Sequence, residues 1–182
     1  MPLKAFVEEM LEEVKNAVHS VDSEKIEALA KMVTESNRIF LTGMGRSLLV
    51  GKMFATRLMQ MGLECYVIGE PLTPAIKEGD LLIAISGSGK TRFTVYAVEE
   101  SRKRNVKIAC ITARESSPAA RMANLVVVLP AKTKYDLARG RVPLGTMFEI
   151  SALLFLDALA AYLKDILGVS EEEMLDRHAA IE

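Results

Sequence analysis

The chain predicts an α/β fold, a three-layer sandwich around a five-stranded parallel sheet in the order 2-1-3-4-5. Three observations carry this. Short apolar runs, centred on Phe40, Tyr66, Ile83, Ala109 and Val127, alternate with longer segments of helical periodicity. These runs are continuously apolar, as in strands buried on both faces, rather than alternating. Two of them, the first and the third, end in glycine-rich turns, Gly43-Met44-Gly45 and Ser86-Gly87-Ser88-Gly89.

Each element follows in order. Leu3 to His19 is an amphipathic helix, with Phe6, Val7, Met10, Leu11, Val14 and Val18 at helical spacing. Asp22 or Ser23 caps a second helix that runs to about Ser36. Arg38 to Thr42 is the first strand. Ser47 to Met61 is a helix with Gly62 as its stop, and Glu64 to Ile68 the second strand. Asp80 to Ile85 is the third strand, followed by a helix from Thr91 to Arg104. Lys107 to Thr112 is the fourth strand. Pro118 opens a short helix to Met122, and Leu125 to Leu129 is the fifth strand. Pro143, at an N1-like position, starts a long helix to about Leu163. Ser170 with its three following glutamates caps a last helix through about Ala179. No internal repeat or linker interrupts the pattern. The expected organisation is one domain over 1–182, with N-terminal helices (1–36), an α/β core (37–165) and a helical tail (166–182).

Composition narrows the function. The 182 residues are 50% apolar and 26% charged with net charge −1, so no basic field argues for nucleic acid. Four Tyr, six Phe and no Trp are too few for a base-stacking surface. Cys65 and Cys110 lie in apolar strand runs without metal or redox spacing, and read as buried small hydrophobes. No apolar run reaches membrane-spanning length and no signal-like start is present, which predicts a cytoplasmic protein.

The strand order places the site. In a 2-1-3-4-5 sheet, ligands bind outside the carboxyl ends of strands 1 and 3, where the winding reverses. That brings Gly43–Ser47 beside Ser86–Thr91. Ser86, Ser88 and Thr91 supply hydroxyls. Gly87 and Gly89 allow close backbone approach, and the following helix offers its N-terminus to an anion. Ser47, and less specifically Gly45 and Arg46, join from the other turn. Serine and glycine also serve ordinary turns; two such turns at one switch point favour anion binding. Gly89-Lys90-Thr91 is not a nucleotide P-loop, because the pattern needs glycine at position 84, which is Ala. Gly43 and Gly45 lack the third glycine of a dinucleotide fingerprint, since position 48 is Leu.

Glu149 is the only charged residue between Arg141 and Asp157. An ordinary helical glutamate lies on a solvated stripe, but here the neighbours one turn away are Gly145, Thr146, Ala152 and Leu153. A carboxylate in such a setting suits proton shuttling, and Glu149 is the candidate general base. Arg46 faces the substrate or a carboxylate. Lys134 lies in the basic stretch 132–141, which is either a solvated connection or, by its position after the fifth strand, a cover over the site. Of the two histidines, His19 reads as surface or packing. His178, in the C-terminal tail, is either a solvated side chain or one that reaches an active site, in its own subunit or a neighbour's, as an acid or ring-opening catalyst.

Gly43-Met44-Gly45-Arg46-Ser47, Ser86-Gly87-Ser88-Gly89-Lys90-Thr91, Pro143-Leu144-Gly145-Thr146-Met147-Phe148-Glu149 and the ending Arg177-His178-Ala179 together resemble the sugar isomerase (SIS) family, over nearly the whole chain. Within it they are most similar to the 6-phospho-3-hexuloisomerases. The resemblance implies an SIS-like, flavodoxin-like topology and interconversion of D-arabino-hex-3-ulose 6-phosphate and fructose 6-phosphate. It implies no metal or organic cofactor, a phosphorylated-sugar ligand and a homotetramer. It also implies that Ser47, Ser86, Ser88 and Thr91 hold the phosphate, Glu149 is the base and His178 assists. Related readings are an arabinose 5-phosphate isomerase-like aldose–ketose isomerase and a non-catalytic sugar-phosphate sensor. The chain departs from the pattern at Lys90, where many relatives carry Glu.

Overall fold

The computed structural model describes residues 3–133 and 142–179. Twelve elements follow one another: α1 (Leu3–His19), α2 (Ser23–Glu35), β1 (Ile39–Thr42), α3 (Arg46–Gln60), β2 (Cys65–Val67), β3 (Leu81–Ile85), α4 (Arg92–Arg102), β4 (Lys107–Thr112), α5 (Pro118–Met122), β5 (Leu125–Val128), α6 (Thr146–Leu167) and α7 (Glu171–Asp176). The five strands form one all-parallel sheet in the order β2-β1-β3-β4-β5, as expected.

The strands read as continuous apolar runs because both of their faces are covered. Along β1, Ile39 and Leu41 join the core beneath α2, α3 and α6, whereas Phe40 joins the core beneath α4 and α5. Along β3, Leu81, Ile83 and Ile85 face the first core and Leu82 and Ala84 the second. The side-chain period of two thus distributes one strand between two apolar layers. Helix α1 packs on α6, outside the first layer. At the amino end of the sheet, Asp80 is buried and accepts two hydrogen bonds from the Arg38 guanidinium, at 3.0 and 2.6 Å, and one from the Lys77 backbone at 2.9 Å. This ties the start of β3 to the residue before β1.

Local chemistry sets the helix ends. Gly62 (φ 84°) closes α3 with its N–H on the Met59 carbonyl, and the Leu63 N–H reaches Leu58. This is a Schellman arrangement. Ser170 and Glu173 form a capping box at α7. Two boundaries differ from expectation. Helix α6 begins at Thr146, three residues after Pro143, because Gly145 adopts the left-handed conformation (φ 73°) and serves as its N-cap. The helix also continues to Leu167, where Gly168 (φ 66°) stops it. Helix α7 ends at Asp176 rather than near Ala179; none of its residues is buried, so little packing extends it beyond its cap.

Cys110 is buried, and desolvation pushes its thiol up to about 12. Cys65 is only half-buried; its thiol donates to the Ala55 carbonyl, and partial burial raises its pKa. Both are unreactive small hydrophobes rather than thiolate nucleophiles. Among the described residues, no helix is long and apolar enough to cross a membrane.

Candidate active site

The carboxyl ends of β1 and β3 lie side by side, paired through Thr42 and Ala84. The turns that follow pack directly on each other. A Cβ on Gly43 would come within 3.0 Å of the Ile85 carbonyl oxygen and 3.1 Å of the Leu48 nitrogen. Glycine is therefore required for the close approach of the two turns.

A cavity of about 280 Å³ opens here. The β1 turn contributes Gly45, Arg46 and Ser47, and the β3 turn contributes Ser86, Gly87, Ser88 and Thr91. Helix α6 closes the opposite wall with Phe148 and Glu149. Every candidate expected at the switch point lines this space except Gly89. That residue turns away from it: at φ 60° its Cα faces Ser117, where a Cβ would lie 1.9 Å from the hydroxyl oxygen. Lys134 lies outside the described residues.

The β3 turn is internally bonded. The Gly89 N–H donates to both the Ser86 carbonyl (3.0 Å) and the Ser86 hydroxyl (3.2 Å), and the Lys90 N–H donates to the Ser88 hydroxyl (3.3 Å). Ser86 and Ser88 are 3% and 6% exposed. Thr91 is the N-cap of α4, and its own side chain makes no capping bond, which leaves the hydroxyl directed to other partners. The Ser86 hydroxyl contacts it at 3.4 Å. Three hydroxyls and the first turn of α4 thus meet at one end of the cavity, a setting that favours an anion.

At the other end stands Glu149. Phe148, itself buried, lies over Gly87 so closely that a Cβ there would sit 2.9 Å from the ring. This contact seats α6 on the β3 turn and brings its first helical turn, with Glu149, over the site. The Glu149 carboxylate is 15% exposed. It is not in the apolar setting its sequence neighbours suggest, because Arg46 crosses from the other turn and donates Nε–H to Oε2 at 2.6 Å. The two residues are 103 positions apart in sequence. The other oxygen, Oε1, lies against Gly145, where a Cβ would fall 2.9 Å away. The carboxylate oxygens are therefore inequivalent, one held by a guanidinium and one facing a bare glycine.

His178 is not brought to this cavity by its own chain. Helix α7 docks at the far end of α3, where Arg177 donates to the Gln60 carbonyl at 3.3 Å and stacks beside Gly62. The cavity lies at the other end of α3, about 20 Å away at 1.5 Å per residue. Residues not named as site candidates also line the cavity: Met44, Leu144, Gly145 and Phe148, which lie inside the motifs that carry the family resemblance, and Thr133. The motifs were the signal that could have found the first four, and Gly145 carried a second one, a glycine immediately before a long helix. Among the described residues no three His, Cys, Asp or Glu side chains gather as a metal site.

The SIS domain model matches residues 32–160, the span from α2 to α6 that builds both turns and the Glu149 wall. The chain belongs to the SIS domain family. Among SIS relatives, the 3-hexulose-6-phosphate isomerase of Bacillus subtilis is 35% identical over 186 residues, covering 100% of both chains. That of Mycobacterium gastri is 39% identical, covering 94% of this chain and 87% of its own. Among solved SIS structures, a Methanococcus jannaschii protein with an inferred function of 3-hexulose-6-phosphate isomerase superposes with a TM-score of 0.82. It is 32% identical and covers 96% of this chain and 99% of its own.

Proposed function

We infer that the chain is a sugar-phosphate isomerase that interconverts a 3-keto hexose 6-phosphate and fructose 6-phosphate. The observation that carries this reading is Glu149 across a small cavity from the hydroxyl-rich turn Ser86–Thr91, in a chain with relatives along nearly its whole length that are named 3-hexulose-6-phosphate isomerase.

In the proposed mechanism the phosphate binds Ser47, Ser86, Ser88 and Thr91, distant from the reacting carbons. Its binding energy fixes C2 and C3 under Glu149. The Glu149 carboxylate removes the proton on C2, and the electron pair of that C–H bond moves to make the C2–C3 double bond of a cis-enediol(ate) while the C3 carbonyl oxygen takes the charge. Return of that proton from Glu149 to C3 and transfer of the O2 proton to the C3 oxygen leave the carbonyl at C2 and a hydroxyl at C3. One carboxylate serves both carbons from one face of the sugar. Oε1, with no side chain at Gly145 to crowd it, is the shuttling oxygen. Arg46 holds Oε2 and sets the orientation of the group.

His178 assists the hydroxyl-proton transfers from a neighbouring subunit, since its own chain carries it to the far end of α3. This requires an oligomer, and we propose the tetramer that the family resemblance implies. An apolar groove between α1 and α6, lined by Val7, Leu11, Leu153 and Leu154 among others, supports self-association. In this reading the enzyme is cytoplasmic and uses neither a metal nor an organic cofactor. Incubation with fructose 6-phosphate in deuterated water, followed by NMR, tests the proposal. The expected result is the 3-ketose with deuterium at the exchanging carbon. Absence of both exchange and 3-ketose would overturn it.

A further inference from the structure

On the far side of the Ser86–Thr91 turn lies a second, larger cavity of about 520 Å³. Three cations line it: Lys90 from the turn, Arg114 after β4, and Arg121 on α5. The remaining walls are hydroxyls, from Ser88, Ser116, Ser117 and Thr133. No carboxylate is among the described lining residues; Glu115, between two of them in sequence, is not part of the wall. The chain as a whole has 24 acidic and 23 Lys and Arg residues, so this concentration of one sign is local. Lys90 and Arg121 have no ion-pair partner among the described residues.

We propose that this cavity is a second anion site, for a compact phosphoryl anion distinct from the sugar-phosphate substrate. Lys90 and Arg121, converging on one cavity without an ion-pair partner among the described residues, create a positive potential that concentrates anions. Guanidinium and hydroxyl donors match phosphoryl oxygens, and Arg121 offers a forked donor pair. No aromatic side chain is among the described lining residues to stack a nucleobase, so a small phosphoryl group fits the described wall chemistry better than a nucleotide. The volume lies within the range of roughly 300–1,000 Å³ usual for small-ligand pockets.

The second site shares its wall with the first. Ser88 and Thr133 line both cavities. The Thr112 hydroxyl donates to the Gly87 carbonyl at 3.2 Å and accepts from the Arg114 N–H at 3.2 Å. The Ala119 N–H donates to the Gly89 carbonyl at 3.1 Å. One hydrogen-bonded unit therefore joins the cationic wall to the turn that faces the substrate cavity. Anions on both sides of Ser88 repel each other, so filling the second site lowers affinity at the first, and linkage makes the effect mutual. This coupling rests on the reading of the first cavity as the sugar-phosphate site; the existence of the second site does not.

Calorimetric titration of the full chain with inorganic pyrophosphate, at fixed ionic strength and with saturating fructose 6-phosphate present, tests the proposal. One pyrophosphate per chain is expected to bind under these conditions. Arg121→Gln should weaken it severalfold, and the charge reversal Arg121→Glu by about tenfold or more, with fructose 6-phosphate binding retained in both. Parallel titrations with inorganic phosphate and fructose 1,6-bisphosphate distinguish a free inorganic anion from a phosphate ester as the preferred occupant. No pyrophosphate binding in the presence of fructose 6-phosphate, or equal binding by wild type and Arg121→Glu, would overturn the proposal. If fructose 6-phosphate itself fails to bind, the reading of the first cavity falls, while the response to Arg121→Glu still decides the second.

Discussion

The two glycine-rich turns at the switch point look alike in sequence and are built on different principles. The β3 turn is closed. Its serines are buried, its amides bond to its own hydroxyls and carbonyls, and Gly87 and Gly89 are hemmed in by Phe148 and Ser117. The β1 turn is open beyond Gly43. Gly45 has nothing within 4 Å of where a Cβ would lie, Met44 is 50% exposed, and the Arg46 side chain is 60% exposed. A closed turn presents fixed donors, which suits an anion that arrives without changing shape. An open turn carries a long charged side chain across the cavity to Glu149. In the proposed mechanism the division of labour is phosphate grip on one side and control of the base on the other.

The largest effect is expected where the closed turn is forced open. Gly89→Ala demands φ 60° of an alanine and drives its Cβ into Ser117. Backbone strain and overpacking together should cost about 2–5 kcal/mol. Thermal or urea unfolding measures it. A loss under about 1 kcal/mol would mean the turn is not packed as described.

Next is the proposed base. Glu149→Gln keeps the shape of the side chain and can still accept a hydrogen bond from Arg46, but it cannot take a proton. The expected fall in kcat is roughly 10²-fold or more, with unfolding stability close to wild type. Near-normal turnover would remove Glu149 from the reaction and leave the open turn without its partner.

Gly45→Ala separates the two turns most directly. No atom obstructs a methyl group there, so the cost is confined to the backbone at φ 58°, ψ −131°, about 1–3 kcal/mol. Relaxing that strain moves Arg46, and the Arg46–Glu149 pair with it. A drop in kcat exceeding the rise in KM is the expected pattern, because the phosphate turn is left intact. A rise in KM alone would show that the β1 turn grips the phosphate instead.

The sheet and its order were legible because burial on both faces writes itself as unbroken apolar runs, and because glycine-rich turns mark the ends of β1 and β3. The start of α6 was misplaced because proline preference is statistical, whereas the left-handed Gly145 decides where the helix begins. The location of Glu149 was legible from its isolation in an apolar stretch, but its surroundings were not. Its ion-pair partner lies on another element, and Arg46 was equally suited to substrate or carboxylate. Thr133, Leu144 and Phe148 line the cavity with side chains that carry no signature of their own. The placement of His178 depends on where α7 docks, which Arg177 decides through the end of α3 and no local pattern announces.

Ser88→Ala is the mildest change and the sharpest check on the closed turn. The Ser88 hydroxyl accepts from the Lys90 N–H, so its loss removes one donor to a bound phosphate and one internal acceptor. A single hydrogen bond to a charged group is worth about 1.5–3 kcal/mol at most, and less where water or a neighbouring hydroxyl substitutes. Ser86 and Thr91 remain beside it to do so, which brings the expected rise in KM for a 6-phosphate sugar to about three- to tenfold. The change in kcat should be small, since the phosphate lies away from C2 and C3. The same substitution assayed with a non-phosphorylated ketose should leave kcat/KM unchanged, because no phosphate is present to feel the missing hydroxyl. If kcat/KM falls equally for both sugars, Ser88 acts by supporting the fold around Glu149, and the phosphate grip must be assigned to the other hydroxyls of the turn.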